Sequence, residues 1–258
     1  MELSSFSGKN RILFTSSWDD GSRFDLKLAD LLARYGVKAT FYISIANKES
    51  KDILSPEEIR HLDNTFEIGA HTYSHNVLTR IPLDKARQDI EKGKRLLEDL
   101  LGKRVGSFCF PRGKFNEALL KAVLESGFDF ARTTGYMRTK EIADLDKGLL
   151  YTTLQVYDRP LRTCLLTSVE RMDGESLANI TKNAGGMTDF TRCASGLLRD
   201  LKNNGGSFHL WGHSWEIEKF GLWSKLEDFL KFVKSTDNIV YCTNSELWES
   251  INDRTIQG

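Results

Sequence analysis

The sequence predicts an α/β fold, a distorted (β/α)7-type barrel of mostly parallel strands, within a single domain that spans residues 1–258. Short apolar runs alternate with amphipathic helices along the chain, a pattern typical of parallel strands that are covered by helices. About seven such runs can be recognised, which favours a barrel over an open doubly wound sheet. The length of 258 residues also suits one large domain.

Three strands, each followed by a helix, are predicted in the first part of the chain. The run ILFTSSW is the first strand, and the amphipathic helix after it ends at Gly36. VKATFYIS is the second strand, and the next helix begins with a capping box formed by Ser55 and Glu58. FEIGA is the third strand, and the helix that follows its polar turn ends at Gly102.

The same alternation continues towards the C-terminus. VGSFCF, FDFARTT and LLYTTLQV predict strands, and NEALLKAVLES predicts a helix between the first two of them. The last third contains a helix at ASGLLRDLKNN, a strand at SFHLWGH, a helix at WSKLEDFLKFVKS, a strand at NIVYC and a closing helix. Residues 136–148 and 158–190 carry no pattern that assigns them to an element.

The composition argues against several classes of function. The 36 basic residues balance 36 acidic ones, which does not indicate a nucleic-acid-binding protein. No stretch has the roughly 18 apolar residues of a membrane span, and the N-terminal residues lack the apolar region of a secretory signal, so a cytoplasmic location is expected. The four cysteines form no CxxC pair and predict reduced, mostly buried thiols: Cys109, Cys164, Cys193 and Cys242.

Polar clusters follow the predicted strands at the point where each strand ends. These clusters read DDG, HTYSH, PRGKFN, ARTT and GHSWE. Function collects at the C-terminal ends of parallel strands in barrels and in doubly wound sheets. We therefore expect these segments, which are distant in sequence, to lie together at one end of the barrel, the predicted mouth.

The DDG and HTYSH clusters together predict a metal site. Asp19 and Asp20 could form a solvated turn. Adjacent carboxylates can also have different roles, if one binds a cation and the other stays free to exchange a proton. His71 and His75 could be solvent-facing or core histidines, yet with Asp20 they supply the ligands that a divalent ion such as Zn²⁺ accepts. Asp19 would then be the natural base for water bound at the open positions of the ion.

Two further histidines lie on the strand SFHLWGH. His213 follows the strand and could donate a proton to a leaving group, because imidazole titrates near neutral pH, although a structural role among tryptophans is the alternative. His209 shares one face of the strand with Trp211, and we interpret it as a packing residue or as a support for the site.

These residues together resemble the polysaccharide deacetylase family, also called the NodB-homology family or carbohydrate esterase family four, whose members hydrolyse N-acetyl or O-acetyl groups of sugars. The resemblance covers most of the chain. It rests on WDDG for the first motif, LADLLARYGVKATFYI after it, HTYSH for the second, FPRG for the third and HLWGHS for the last. It implies a distorted barrel with about seven strands.

The resemblance implies a role for each matching residue. Asp19 would be the catalytic base and His213 the general acid. Asp20, His71 and His75 would be the metal ligands. The backbone N–H of Arg112, after the proline of the third motif, would help to hold the oxyanion.

The sequence departs from the family pattern at two places. The arginine that often pairs with the catalytic aspartate is Cys109 here, and a neutral thiol cannot replace it. Arg132 is our candidate for the missing cation, with a surface role as its alternative and Arg112 as a competitor that could instead bind an acidic group of the substrate. The acid that orients His213 could be one of two residues, Asp158 or Glu216.

The resemblance implies a metal-dependent hydrolase that removes an acetyl group, foremost an N-acetyl group, from an acetamido sugar in an oligosaccharide, a glycolipid precursor or a nucleotide sugar. One divalent ion is expected, with zinc first and cobalt, nickel, manganese or iron also suited to mixed ligands. Aromatic residues near the mouth could stack on sugar rings, although core packing is the alternative for at least half of them: Tyr73, Trp211, Trp215 and Trp223.

Two other functions stay open. One is a cyclic amide or ureide hydrolase on the same barrel, which would open a ring and release no acetate. The other is a catalytically silent carbohydrate-binding protein, in which the altered third motif has abolished turnover. In each case we expect a sugar or another small molecule as the partner, and neither nucleic acid nor a membrane span.

Overall fold

The computed structural model describes residues 11–47, 49, 52–135, 137–140, 142–158, 178–179 and 188–256. Within these residues, ten strands form one sheet. In chain order they are β1 (Ile12–Asp19), β2 (Thr40–Ile43), β3 (Glu67–Ala70), β4 (Ser107–Cys109), β5 (Phe130–Arg132), β6 (Ala143–Asp144), β7 (Leu149–Leu150), β8 (Leu154–Gln155), β9 (Gly206–Gly212) and β10 (Ile239–Cys242). Cys164 and most of the segment 158–190, for which the sequence predicted no element, lie outside the described residues.

Eight helices accompany these strands in the described part of the chain. They are α1 (Phe24–Tyr35), α2 (Pro56–Asp63), α3 (Leu83–Leu101), α4 (Glu117–Glu125), α5 (Phe190–Asn204), α6 (Ser214–Lys219), α7 (Trp223–Lys234) and α8 (Asn244–Ile256). The predicted capping box starts α2, because the Ser55 hydroxyl accepts from the Glu58 N–H and the Glu58 carboxylate accepts from the Ser55 N–H. Gly36 and Gly102 end α1 and α3 in the left-handed conformation, as predicted.

The sheet has the order β6-β7-β5-β4-β3-β2-β1-β9-β8, and β10 also pairs with β1. Its pairings are parallel except for the one between β6 and β7. The prediction of a mixed α/β domain with mostly parallel strands is therefore confirmed. More strands are present than the sequence indicated, because the predicted strand LLYTTLQV is divided into β7 and β8 and because the two-residue β6 lies in the segment 136–148, for which no element was predicted.

One short stretch of chain reaches both ends of this sheet. β7 pairs with β5, and β8, which begins after residues 151–153, pairs with β9. Residues 149–155 thus bridge the two ends as two separate strands rather than as one continuous closing strand. Complete closure of the barrel stays a prediction.

A buried glycine positions the HTYSH segment against α3. A Cβ atom on Gly93 would lie 2.7 Å from the backbone carbon of Thr72, closer than nonbonded atoms approach. The Tyr73 N–H donates to the Asp89 carbonyl of the same helix at 3.1 Å. Because Gly93 has no side chain, the loop that carries the two candidate metal-binding histidines can lie directly on the helix.

A partly buried polar network occupies the opposite end of the strands. Glu67, at the start of β3, accepts hydrogen bonds from the hydroxyls of Thr40 at 2.6 Å, Ser107 at 2.8 Å and Ser245 at 2.5 Å, and from the Ser245 N–H at 3.1 Å. These bonds join β2, β3 and β4 to the first turn of α8. The network therefore anchors α8 at the end of the sheet away from the predicted mouth.

No helix within the described residues is both long enough and apolar enough to cross a membrane.

Candidate active site

The site begins where β1 ends. Asp19 is the last residue of β1, and Asp20 has a left-handed backbone with a φ of 84°, which is uncommon for a residue with a side chain. The Asn47 side-chain amide donates to the Asp20 carbonyl at 3.3 Å and supports this turn. Both carboxylates are buried, at 3% exposure for Asp19 and 7% for Asp20, so the two charges need partners.

The partners of Asp20 are the two histidines of HTYSH. Its Oδ1 atom lies 3.0 Å from His75 Nε2 and 3.6 Å from His71 Nε2. The three ligand atoms all lie within 4.8 Å of one another, and all three residues are buried. Burial alone would raise the pKa of Asp20, but the neighbouring imidazoles of His71 and His75 hold this pKa well below its usual range.

This cluster fits a divalent metal ion. The His71 Nδ1 atom lies 2.8 Å from the Cys109 carbonyl oxygen, and a carbonyl can only accept, so Nδ1 carries the proton and Nε2 keeps its lone pair. Asp20 Oδ1 is buried without a hydrogen-bond partner, at the point where both Nε2 atoms face it. Two imidazole nitrogens and one carboxylate oxygen form a common donor set of catalytic zinc sites.

Asp19 is paired with an arginine from another strand. Arg132, at the end of β5, donates from Nη1 to Asp19 Oδ2 at 2.9 Å and from Nη2 to Asp19 Oδ1 at 3.0 Å. The arginine is completely buried, so the alternative of a surface role is wrong. Burial would lower the pKa of Arg132, but the Asp19 charge outweighs this effect and the pKa is raised.

Cys109 lies beside this ion pair. Its Sγ atom accepts from Arg132 Nη1 at 3.2 Å and lies 3.7 Å from Asp19 Oδ2. Burial raises the pKa of the thiol well above its usual range, so Cys109 stays neutral. A small neutral side chain therefore occupies the position of the missing arginine and leaves space for the guanidinium of Arg132.

Arg112 does not contact Asp19. Its Nη2 atom donates to both oxygens of Glu49, at 3.0 and 2.9 Å, and its side chain is 56% exposed. Glu49 Oε2 in turn lies 3.3 Å from His75 Nδ1. The competing interpretation of Arg112 as the partner of the catalytic aspartate is therefore wrong, and its side chain lies at the solvent-exposed rim beside a candidate metal ligand.

His213 is held by a glutamate one helical turn later. Its Nδ1 atom lies 2.6 Å from Glu216 Oε2, which also accepts from Gln155 Nε2 at 2.9 Å. Burial would lower the pKa of His213, but Glu216, Asp20 and Asp19 together raise it to about 9. His213 Nε2 faces Asp20 Oδ2 at 3.9 Å, so its second nitrogen points towards the candidate metal cluster.

Asp158, the other candidate for orienting His213, lies elsewhere. It accepts from the backbone N–H of Phe190 at 3.1 Å and pairs with Lys225, which also binds Asp189 at 3.1 Å. Asp158 therefore connects the start of α5 to α7. Of the two acids that the sequence left open, the structure places only Glu216 against His213.

The chain is similar to known polysaccharide deacetylases. Residues 8–131 match the family model described as polysaccharide deacetylase. The peptidoglycan-N-acetylglucosamine deacetylase of Bacillus cereus is 33% identical over 127 residues, which cover 48% of this chain and 45% of that protein. The chain therefore resembles the polysaccharide deacetylase family over residues 8–131. The matched region covers less than half of the length of the Bacillus cereus protein and of two other curated relatives.

Solved structures of the family share the fold at low sequence identity. A Mycobacterium smegmatis protein assigned to the polysaccharide deacetylases is 17% identical, with a TM-score of 0.68 over 97% of this chain and 93% of that one. The family 4 acetyl xylan esterase of Clostridium thermocellum, solved with a cobalt ion, is 16% identical, with a TM-score of 0.56 over 92% and 90%. The similarity of fold therefore extends beyond the matched residues 8–131 to nearly the whole chain.

The four aromatic residues that the sequence predicted near the sugar-binding site have different surroundings. Trp215 donates from Nε1 to Asp20 Oδ2 at 2.8 Å and lies beside His213, with 5.4 Å between ring centroids. Trp211 is 8% exposed and covers the guanidinium of Arg132 at 4.9 Å. Tyr73 lies under the Lys92 ammonium of α3 at 3.6 Å, and Trp223 donates to Glu218 on α6.

Two residues that the sequence analysis did not single out also contact the candidate site. Ser17 accepts from Arg132 Nη2 at 3.1 Å, and Gln155 donates to the glutamate that holds His213. Ser17 lies two residues before Asp19 on β1, so the alternation of a strand places both side chains on one face and gives a signal for Ser17. Gln155 belongs to the predicted strand LLYTTLQV, but its partner Glu216 is 61 residues away and no sequence pattern links the two.

Proposed function

We propose that the chain is a metal-dependent hydrolase that removes an acetyl group, foremost an N-acetyl group, from an acetamido sugar. One observation carries this proposal. Three arrangements with different chemical tasks lie at the C-terminal ends of β1, β3, β5 and β9: a buried donor set of two imidazoles and one carboxylate, a carboxylate fixed by an arginine, and an imidazole fixed by a glutamate.

Asp20, His71 and His75 would hold the metal ion. A divalent ion at this place would polarise the acetyl carbonyl and make a water molecule more acidic, with zinc favoured and cobalt, nickel, manganese or iron also compatible with the ligands. The cobalt ion of the Clostridium thermocellum esterase supports a metal in this fold.

Asp19 would accept the proton of the attacking water. Its two oxygens both accept hydrogen bonds from Arg132, at 2.9 and 3.0 Å, which fixes the plane of the carboxylate beside a cation. Among the described residues only Arg132 donates to Oδ1, and a carboxylate oxygen can accept two hydrogen bonds, so Oδ1 keeps a lone-pair direction for the water. A carboxylate held in one orientation next to the candidate metal ligands suits a general base.

His213 would donate a proton to the leaving nitrogen of the sugar. Its Nδ1 atom is bound to Glu216, so only Nε2 can face a substrate. The raised pKa, about 9, keeps the ring protonated at neutral pH. Protonation of the departing amine prevents the expulsion of an unstable amide anion, which is the task of the general acid.

The rim of the site would bind the sugar and the developing oxyanion. Arg112 has a left-handed backbone, with a φ of 59°, in the turn after Pro111, and we assign its N–H to the oxyanion. Trp215, which is half-buried beside Asp20 and His213, offers a ring for stacking against a sugar. The acetamido sugar would belong to an oligosaccharide, a glycolipid precursor or a nucleotide sugar, and the Bacillus cereus relative, named for peptidoglycan N-acetylglucosamine, favours N-acetylglucosamine units.

The first test measures bound metal by elemental analysis, in untagged protein purified without chelators. We expect about one divalent ion per chain in the wild type, and its loss in the His71→Ala, His75→Ala double variant. His61→Ala, on an exposed helical position of α2, is the control and should keep the ion. A wild type that binds no ion would contradict the metal-dependent mechanism.

The second test measures acetate released from N-acetylated chitooligosaccharides, with O-acetylated sugars and acetylated nucleotide sugars in parallel. We expect release that stops after chelation and in Asp19→Asn, and that resumes when metal is restored to the wild type. Opening of cyclic amides without acetate release would instead favour the ring hydrolase. Sugar binding by calorimetry with no hydrolysis over long incubation would favour the silent carbohydrate-binding protein.

A further inference from the structure

The interior face of the sheet behind Asp19 carries a chain of hydrogen bonds that the proposed mechanism does not use. Arg132 Nη2 donates to Ser17 Oγ at 3.1 Å, and Ser17 Oγ lies 2.8 Å from His209 Nε2. His209 Nδ1 lies 3.0 Å from the Tyr151 carbonyl oxygen. Ser17, His209 and Arg132 are fully buried, so solvent does not compete for these bonds.

The chemistry of the partners fixes the direction of every bond in this chain. The Tyr151 carbonyl can only accept, so His209 Nδ1 carries the proton and, in the neutral ring, Nε2 accepts. Burial and the charge of Arg132 keep the pKa of His209 well below its usual range, in agreement with a neutral ring. The Ser17 hydroxyl must then donate to His209 Nε2, which leaves its oxygen lone pairs for Arg132.

Ser17 is the oxygen that accepts the remaining Nη hydrogen of Arg132, whereas the buried Nε atom has no hydrogen-bond partner among the described residues. The four Nη hydrogens of Arg132 are matched by two bonds to Asp19, one to Cys109 Sγ and one to Ser17 Oγ. Cys109 is a weak acceptor, so Ser17 is the strongest anchor apart from Asp19 itself. Trp211 covers the group at 4.9 Å but exerts no directional force within the plane of the guanidinium.

We propose that Ser17 and His209 are positioning residues, which fix the guanidinium of Arg132 and, through it, the carboxylate of Asp19. This inference rests on the proposed role of Asp19 as the base. Because the hydrogen-bond chain ends at a backbone carbonyl beside β7, the orientation of the base is tied to the bridging segment 149–155. A rotation of the Ser17 hydroxyl or a change of the His209 tautomer would leave Arg132 Nη2 facing a hydrogen atom.

The variants that test the proposal are Ser17→Ala, Ser17→Thr and His209→Leu, compared with Ser16→Ala as a control. Ser16 is the neighbouring buried hydroxyl of β1, and it donates to the Lys38 carbonyl at 3.2 Å on the other face of the strand. Crystal structures of metal-loaded Ser17→Ala and wild type are compared for the two Arg132–Asp19 bonds. Steady-state kinetics on the acetylated sugar that the wild type hydrolyses give kcat and KM separately.

We expect Ser17→Ala to lose or lengthen at least one Arg132–Asp19 bond and to lower kcat about tenfold or more, with KM and metal content unchanged. His209→Leu should act in the same direction, whereas Ser17→Thr, which keeps the hydroxyl, and Ser16→Ala should stay within about twofold of the wild type. A merely structural role of Ser17 would not separate kcat from KM in this way.

Retention of both Arg132–Asp19 bonds in the Ser17→Ala structure would overturn the proposal, whatever the turnover of that variant. His209→Leu is judged by the same criterion if Ser17→Ala does not fold. If the wild type releases no acetate from any acetylated sugar, the proposed function fails, but the crystallographic comparison still decides whether Ser17 and His209 hold Arg132.

Discussion

The buried pair of Arg132 and Asp19 gives the sharpest prediction for stability and turnover together. Arg132→Ala removes two charge-assisted hydrogen bonds and leaves Asp19, whose side chain is 4% exposed, without its cation. Breaking a buried ion pair by removing one partner costs about 3–5 kcal/mol, because the remaining charge is uncompensated. That is a large part of the roughly 5–15 kcal/mol by which domains are stable, so we expect a folded but clearly weakened protein.

In Arg132→Ala, kcat should fall by more than the loss of folded protein alone would explain. Without Arg132, the Asp19 carboxylate can rotate, and a displacement of about 1 Å at a reacting group can cost about 100-fold in rate. Metal content should not change, because Arg132 contacts none of the three candidate ligands in the described structure. The assays are urea denaturation for the free energy of unfolding, kcat for acetate release, and elemental analysis for the metal.

A double-mutant cycle with Asp19→Asn separates the pair from its surroundings. We expect a coupling of about 3 kcal/mol between the two positions, since each single variant leaves the other group buried and unpaired. Arg104→Ala is the matched control, because Arg104 also makes a two-bond pair, with Asp129, but at 57% and 47% exposure, where such pairs contribute about 0–1 kcal/mol. Wild-type turnover in Arg132→Ala, or a coupling no larger than that of the exposed pair, would refute the reasoning.

Three more outcomes are expected. Glu216→Gln should lower kcat about 10-fold to 100-fold, because His213 loses its anionic partner. Asp158→Asn, measured in the same assay, should have a kcat close to that of the wild type. Glu67→Gln should lower the free energy of unfolding by about 1–3 kcal/mol in urea, since an amide cannot accept all four hydrogen bonds of the carboxylate. Trp215→Phe, which removes the indole N–H bond to a candidate metal ligand, should weaken metal affinity several-fold in a competition titration, and unchanged affinity would contradict that contact.

The proximity of the candidate site residues could be predicted from the sequence because parallel strands impose their geometry. Asp19, His71, Arg132 and His213 lie at or just after the ends of β1, β3, β5 and β9, and these ends meet at one edge of the sheet. Strand periodicity was enough to recognise each of these four strands. Proximity across as many as 194 positions of sequence, as between Asp19 and His213, then followed from the fold class and needed no knowledge of individual contacts.

Other features depend on side-chain contacts that periodicity does not encode. The choice between Asp158 and Glu216 was open, although Glu216 lies three residues after His213 at the start of α6, a spacing that brings helical side chains together. Asp158 instead follows a two-residue strand, and its salt bridge to Lys225 joins elements far apart in sequence. Tyr73 follows a strand end and yet turns towards α3, because the glycine in that helix draws the loop backbone onto it.

The shift of the arginine from the third motif to Arg132 has a simple origin in the register of the sheet. Cys109 on β4 and Arg132 on β5 are direct partners in parallel pairing, so their side chains point to the same face of the sheet. Neighbouring strands lie about 4.8 Å apart, a distance that the long arginine side chain spans easily. A guanidinium can therefore reach Asp19 from either strand, provided that the other position is small. Under the proposed mechanism, the requirement at this place is a cation in one orientation beside the carboxylate, and we infer that its position in the chain can move by one strand without a change in the chemistry that it supports.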